Sequence, residues 1–138
     1  MNLKECATLD LPKMTDSRGS LSVVEAAQHI PFEIKRVFYL YEVPEGQRRA
    51  GHALRVCHQF IIAMAGTVDV VIDDGKRRQR VHLDRPDRGL LVPAMIWREL
   101  EGFSAGAVCV VLASEHYDLE DYFDDYAEFR KAVGGAQA

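Results

Sequence analysis

Apolar and polar residues alternate in short runs through the first 113 residues, and turn signals interrupt them about every ten positions. The pattern predicts strands at Leu21–Glu25, Lys35–Glu42, Arg55–Ala63, Gly66–Asp73, Arg80–Leu83, Gly89–Pro93, Ile96–Leu100 and Ala107–Ala113. Asp74-Gly75, inside VVIDDGKRRQ, marks a hairpin, because such turns need a positive φ that Gly and Asp tolerate. The Lys76–Arg80 run that follows reads as a solvated loop. Only the tail changes period. Leu119, Tyr122, Phe123, Tyr126, Phe129 and Val133 recur at three to four residues, which predicts an amphipathic helix over about 118–133 with its aromatic stripe packed on the core. Acidic residues near its start and Arg130-Lys131 at its end suit the helix dipole.

Many short strands in 138 residues, with no linker or repeat, imply one all-β domain: an antiparallel sandwich or small barrel of jelly-roll type, capped by a C-terminal helix. Such barrels carry their sites inside the mouth, where alternate residues of several strands converge. The chemistry is therefore expected at strand positions that are polar where the pattern calls for apolar.

Composition narrows the partners. A net charge of −4 and a pI near 5.7 argue against a nucleic-acid or anionic-membrane binder, which needs a basic excess. No apolar run approaches the ~18 residues of a membrane helix, and the first twenty or so residues lack a basic-then-apolar signal pattern. Cys6, Cys57 and Cys109 are odd in number and widely spaced, and Cys57 and Cys109, which sit in apolar runs, read as small buried hydrophobes of a cytoplasmic protein.

One segment stands out, Arg48-Arg49-Ala50-Gly51-His52-Ala53-Leu54-Arg55-Val56-Cys57-His58-Gln59. Its spacing resembles the first cupin motif: His52-x-Leu54, four residues, Gln59, six residues, Gly66. Pro93-x-Met95-x-x-Arg98 resembles the second. A metal cupin draws on two histidines, a Glu and a later His, and only His52 of those four is kept here. Leu54 cannot ligate, Gln59 is a poor neutral ligand and Arg98 repels a cation, so no metal is expected. An imidazole, an amide and a guanidinium instead suit an anionic or polyhydroxylated ligand.

Further segments follow in one order: Asp16-Ser17-Arg18-Gly19-Ser20-Leu21, Ile30–Tyr39, Asp73-Asp74-Gly75, Val92-Pro93 with Trp97-Arg98-Glu99, and Leu112-Ala113-Ser114 with Tyr117-Asp118. Together with the His52 segment they resemble the dTDP-4-keto-6-deoxyglucose 3,4-ketoisomerases, small cupins of nucleotide-sugar biosynthesis, over about residues 10 to 130. The resemblance implies a single cupin domain (a double-stranded β-helix jelly roll) spanning 1–138 and a cofactor-free isomerisation. A base removes the proton at carbon 3 of a dTDP-linked 4-keto-6-deoxy sugar, an enediol forms, and reprotonation at carbon 4 leaves a 3-keto sugar. It also implies a place in deoxyamino-sugar biosynthesis for surface polysaccharides or natural products, and a homodimer that exchanges N-terminal strands.

The residues suit these roles. A neutral imidazole can remove a proton beside a ketone, which makes His52 the candidate base. Arg49 and Tyr39 are candidate catalytic donors to the enediolate, and Gln59 is a further donor. Arg18, Arg36 and Arg98 are candidate diphosphate ligands, and Trp97 offers a flat face to sugar or thymine. Leu54 is the main departure, since the family has a second histidine there. His58 falls on the same strand face by even spacing, but a rise of ~3.3 Å per residue would put it about 13 Å beyond Leu54. The alternative readings are a nucleotide-sugar-binding cupin that lost turnover with that histidine, or a related dTDP-sugar epimerase.

Overall fold

A computed structural model describes residues 2–135. The elements run β1 (Ala7–Asp10), β2 (Lys13–Asp16), β3 (Gly19–Ser22), β4 (Arg36–Leu40), β5 (Arg49–Leu54), β6 (Gln59–Ala65), β7 (Val68–Asp73), β8 (Arg78–Leu83), β9 (Arg88–Val92), β10 (Trp97–Glu101), β11 (Val108–Ala113), β12 (Tyr122–Phe123) and α1 (Tyr126–Gly135). Single 3-10 turns occupy Leu3–Glu5 and Leu119–Asp121. One sheet is ordered β1-β9-β6-β11-β4 and the other β12-β5-β10-β7-β8, while β2 and β3 form a separate hairpin. All the strand pairs are antiparallel. The two five-stranded sheets face each other as the cupin jelly roll that the pattern and the resemblance implied.

Period-two alternation fills the space between the sheets. Ile61 and Ala63 of β6, Val70 and Ile72 of β7, Leu90 and Val92 of β9, and Cys109 and Val111 of β11 form its main core. A second cluster, Phe60, Ile62 and Leu112 with Leu11, Ile30 and Phe32, lies on the outer face of the first sheet under the 23–34 segment. A third joins Ala53, Trp97, Phe123 and Phe129, and seats α1 on the outer face of the second sheet.

The structure departs from the sequence pattern in four places. Strands β1, β2 and β5 are additional, and the run from Arg55 bends before β6 starts at Gln59. That bend breaks the even-spacing argument for His58. The Lys76–Arg80 run is not all loop: Arg78 and Arg80 belong to β8, where Arg78 pairs with Asp73 and Glu99, and Arg80 with Asp69 and Glu101. Finally, the helix starts at Tyr126 rather than near 118, with the Asp125 carboxylate accepting the amides of Ala127 and Glu128 as an N-cap. Tyr122-Phe123 is strand, paired with Leu54 and Ala53. Two adjacent strand residues face opposite ways, so Phe123 packs under α1 whereas Tyr122 turns towards the barrel interior.

Candidate active site

The polar residues of the barrel interior converge at one end. In the first sheet, Ala113 of β11 lies between Arg36 of β4 and Gln59 of β6, so these two side chains share a row. In the second sheet, His52 of β5 is paired directly with Arg98 of β10. A bond of 2.6 Å from Arg98 Nη1 to Gln59 Oε1 joins the two sheets across the interior. The rest of the Arg98 guanidinium donates to the carbonyls of Ile96 (3.0 and 3.2 Å) and Pro93 (3.5 Å).

Arg98 is 1% exposed, and every one of its partners is a neutral oxygen. A buried cation normally sits against a carboxylate, because desolvating an unpaired charge is costly. Burial lowers the Arg98 pKa to about 10, which leaves it charged at neutral pH. Around it, Arg36 Nε, His52 Nε2 and Gln59 Nε2 are buried without a hydrogen-bond partner. An interior with a cation and unsatisfied nitrogens is built to receive oxygen, and preferably anionic oxygen.

His52 is mostly buried, and its pKa is pushed down from 6.5 to about 3, first by desolvation and then by the Arg98 and Arg36 charges. It is therefore a neutral imidazole at neutral pH, the form a base must have. The Tyr122 ring lies against it, with centroids 4.9 Å apart and a 54° tilt. Tyr117 stands 5.8 Å from Tyr122, and the Arg36 guanidinium lies 5.7 Å from the Tyr117 ring centre. These aromatic rings wall one side of the mouth. An open cleft of about 560 Å³ beside them runs between Arg55, His116 and Asp118 and contains none of His52, Gln59 and Arg98.

Four of the sequence candidates, His52, Arg36, Gln59 and Arg98, thus meet in the barrel. The other four do not join them. Tyr39 alternates with inward Phe38 and Leu40, is 61% exposed on the outer face of β4 and packs on Tyr41 at 5.9 Å. Arg49 is exposed at the start of β5. Arg18 projects from the β2–β3 turn and pairs with Asp16 at 2.6 Å. Trp97 is buried on the face opposite Arg98, edge-on to Tyr126, with its indole donating to Glu99 Oε2 at 2.9 Å. Its ring packs against Tyr126 and Phe129 of α1.

Leu54 is fully buried against Cys57, Ala113 and Tyr122. His58 takes no part in replacing the second imidazole: its Nδ1 accepts the Ala94 amide at 2.9 Å, and its backbone exchanges bonds with Ser114. Tyr122 is the site residue that the helical period concealed. Among the described residues, no three His, Cys, Asp or Glu side chains converge in the manner of a metal site.

Comparison with known proteins matches the chain along nearly its whole length. The model of the WxcM-like, C-terminal (FdtA) family matches residues 4–134. The TDP-4-oxo-6-deoxy-alpha-D-glucose-3,4-oxoisomerase of Aneurinibacillus thermoaerophilus is 38% identical over 129 residues, 94% of this chain and 93% of that protein. A 3,4-ketoisomerase from Helicobacter canadensis superposes with a TM-score of 0.92 at 38% identity, covering 94% of this chain and 98% of the other. QdtA, a sugar 3,4-ketoisomerase from Thermoanaerobacterium thermosaccharolyticum solved in complex with TDP, gives 0.95 at 31% identity over 99% of both chains. The match along nearly the whole length, on a barrel whose buried polar groups converge at one mouth, places the chain in the WxcM-like, C-terminal (FdtA) family of sugar-nucleotide cupins.

Proposed function

We propose that this protein is a 3,4-ketoisomerase that converts dTDP-4-keto-6-deoxyglucose into a dTDP-3-keto-6-deoxyhexose. The observation that carries the reading is the buried Arg98 cation, without a carboxylate partner, paired in register with a neutral His52. In the first half-reaction His52 takes the proton from carbon 3. The C–H electron pair becomes the C3–C4 double bond, and the carbonyl oxygen at carbon 4 gains the negative charge. Arg98 and the free amide nitrogen of Gln59 are the donors for that oxygen, and preorganised donors in a dry site are worth several kcal/mol, about 10²–10³-fold in rate each. In the second half-reaction carbon 4 accepts a proton by way of the His52 imidazolium, and the hydroxyl proton at carbon 3 passes to the oxygen at carbon 4, so that carbon 3 becomes the new ketone. The electrons balance within the sugar.

The rest of the reading follows the family. A single cupin domain works as a cytoplasmic homodimer in deoxyamino-sugar biosynthesis, with N-terminal strands exchanged. The β2–β3 hairpin supports the exchange, because every residue of both strands is exposed, including the cross-strand pair Met14 and Leu21. Val37, Tyr39, Tyr41 and Met64 add exposed apolar area on the outer face of the first sheet. Exchange would carry Arg18 to a neighbouring barrel, while Arg49 and Tyr39 lie outside the buried cluster of this barrel. Light scattering at micromolar protein tests the dimer, and a monomer would remove this part of the reading.

The enzyme itself is tested by incubation with dTDP-4-keto-6-deoxyglucose in deuterated water, followed by NMR. A 3-keto product with deuterium at carbon 4 is expected. Exchange with the ketone retained at carbon 4 would point to epimerase chemistry, and saturable dTDP binding without any exchange would leave a binding protein. Either result overturns the proposal.

A further inference from the structure

Arg55 lies just beyond β5 and points away from the barrel cluster, yet it is one of the most fully engaged exposed side chains in the molecule. Its Nη1 donates to the carbonyls of Glu120 (2.8 Å) and Tyr122 (2.9 Å), and its guanidinium lies 3.8 Å from the centre of the Phe123 ring. Its own amide donates to the Asp121 carbonyl at 2.8 Å. Asp121 answers from the other side, its carboxylate accepting the amides of Val56 (2.8 Å) and Cys57 (3.2 Å). Residues 120–123 are thereby tied to residues 53–57 by side chains at both ends of the short β12 ladder.

A two-residue strand holds little by itself, since its ladder makes few bonds. What it carries is Tyr122, the ring that lies against His52. We propose that Arg55, together with Asp121, is a positioning residue: it pins the 120–123 segment so that Tyr122 covers the His52 imidazole and keeps water from it. The proposal rests on the reading that His52 handles the substrate proton, and it adds the device that keeps that imidazole dry. The groups facing His52 are Arg98 from β10, Arg36 from β4 and Tyr122 from β12. The two cations both oppose its protonation. Desolvation by burial is the larger cause of the neutral state, and the Tyr122 ring, 4.9 Å from the imidazole between centroids, is the cover to which the proposal assigns part of it.

The test follows the His52 imidazole by NMR as pH is lowered, in the intact protein and in folded Arg55→Ala, Tyr122→Ala and Tyr122→Phe variants. The native imidazole is expected to stay neutral well below 6.5. Arg55→Ala and Tyr122→Ala should each raise its pKa by about one unit or more, and the double variant should go no further than Tyr122→Ala. Tyr122→Phe keeps the ring and should keep the native value. Turnover of the 4-keto sugar should fall about 10²-fold in the two alanine variants with KM held. An unmoved His52 pKa in either alanine variant overturns the proposal, as do additive shifts. If Arg55→Ala does not fold, Arg55→Met retains the apolar stem and is read in its place. The NMR readout needs no turnover, so failure of the latch is distinct from failure of the reading that His52 handles the substrate proton, which His52→Asn with retained activity would show.

Discussion

Lowering the pH from 7 to 5 tests whether His52 is held neutral by the fold. In the unfolded chain its pKa is the ordinary 6.5, whereas in the folded barrel it is about 3. Unfolding therefore takes up a proton below pH 6.5. Because the folded pKa is the lower one, the contribution to stability is complete above 6.5 and is lost progressively as the pH falls towards 3. At pH 5 the unfolded imidazole is favoured by 1.5 pH units of protonation, which at 1.36 kcal/mol per unit is about 2 kcal/mol. His82 works the other way, since its bond to Asp69 raises its pKa. Its contribution is present below 6.5 and fades as pH rises. The assay is urea unfolding of the native protein and His52→Asn at both pH values and one protein concentration. Subtracting the two proteins cancels His82 and the carboxylates. The native protein should lose about 2 kcal/mol more than the variant between pH 7 and pH 5. Equal losses in the two proteins would refute the buried neutral imidazole, and with it the desolvation argument for the base.

Arg98→Met should lower turnover by about 10²–10³-fold while thermal stability holds or rises, because a hydrophobic side chain removes an unpaired buried charge; a large fall in melting temperature would contradict the assignment of Arg98 to ligand and not to fold. Leu54→His should cost about 1–3 kcal/mol in urea unfolding, since the imidazole is forced into a fully buried apolar site packed by Cys57, Ala113 and Tyr122, and it should bring no gain in kcat. In Gly75→Ala, the new methyl group meets the Val133 side chain at a residue whose φ is +95°, so α1 is pushed off the β7–β8 turn and stability falls by about 1–3 kcal/mol, measurable as a lower melting temperature. The acid limb of kcat/KM should show no inflection near 6.5 belonging to His52, because free enzyme already holds that group neutral there.

What the sequence determined by itself is what depends on local pattern. Alternation and turn residues specify many short antiparallel strands, and Asp74-Gly75 places a hairpin where Gly75 does adopt a positive φ. Motif spacing singled out His52, Gln59 and Arg98, and the three do meet inside the barrel, because a fixed spacing on paired strands fixes which side chains share the interior. The tertiary structure decided the facing of each strand and the partner of each charge. Tyr39 and Trp97 stand one residue away from inward-facing neighbours, so a shift of one position, invisible to composition, turned both outward. The tail shows the same limit. Leu119, Tyr122 and Phe123 fit a helical period, but the free backbone edge of β5 at Ala53 and Leu54, together with Arg55 and Asp121, offers them ladder and clamp bonds that an isolated helix start cannot match. Pairing with a strand some seventy residues earlier put Tyr122 on His52, and that contact exists only once the barrel has closed.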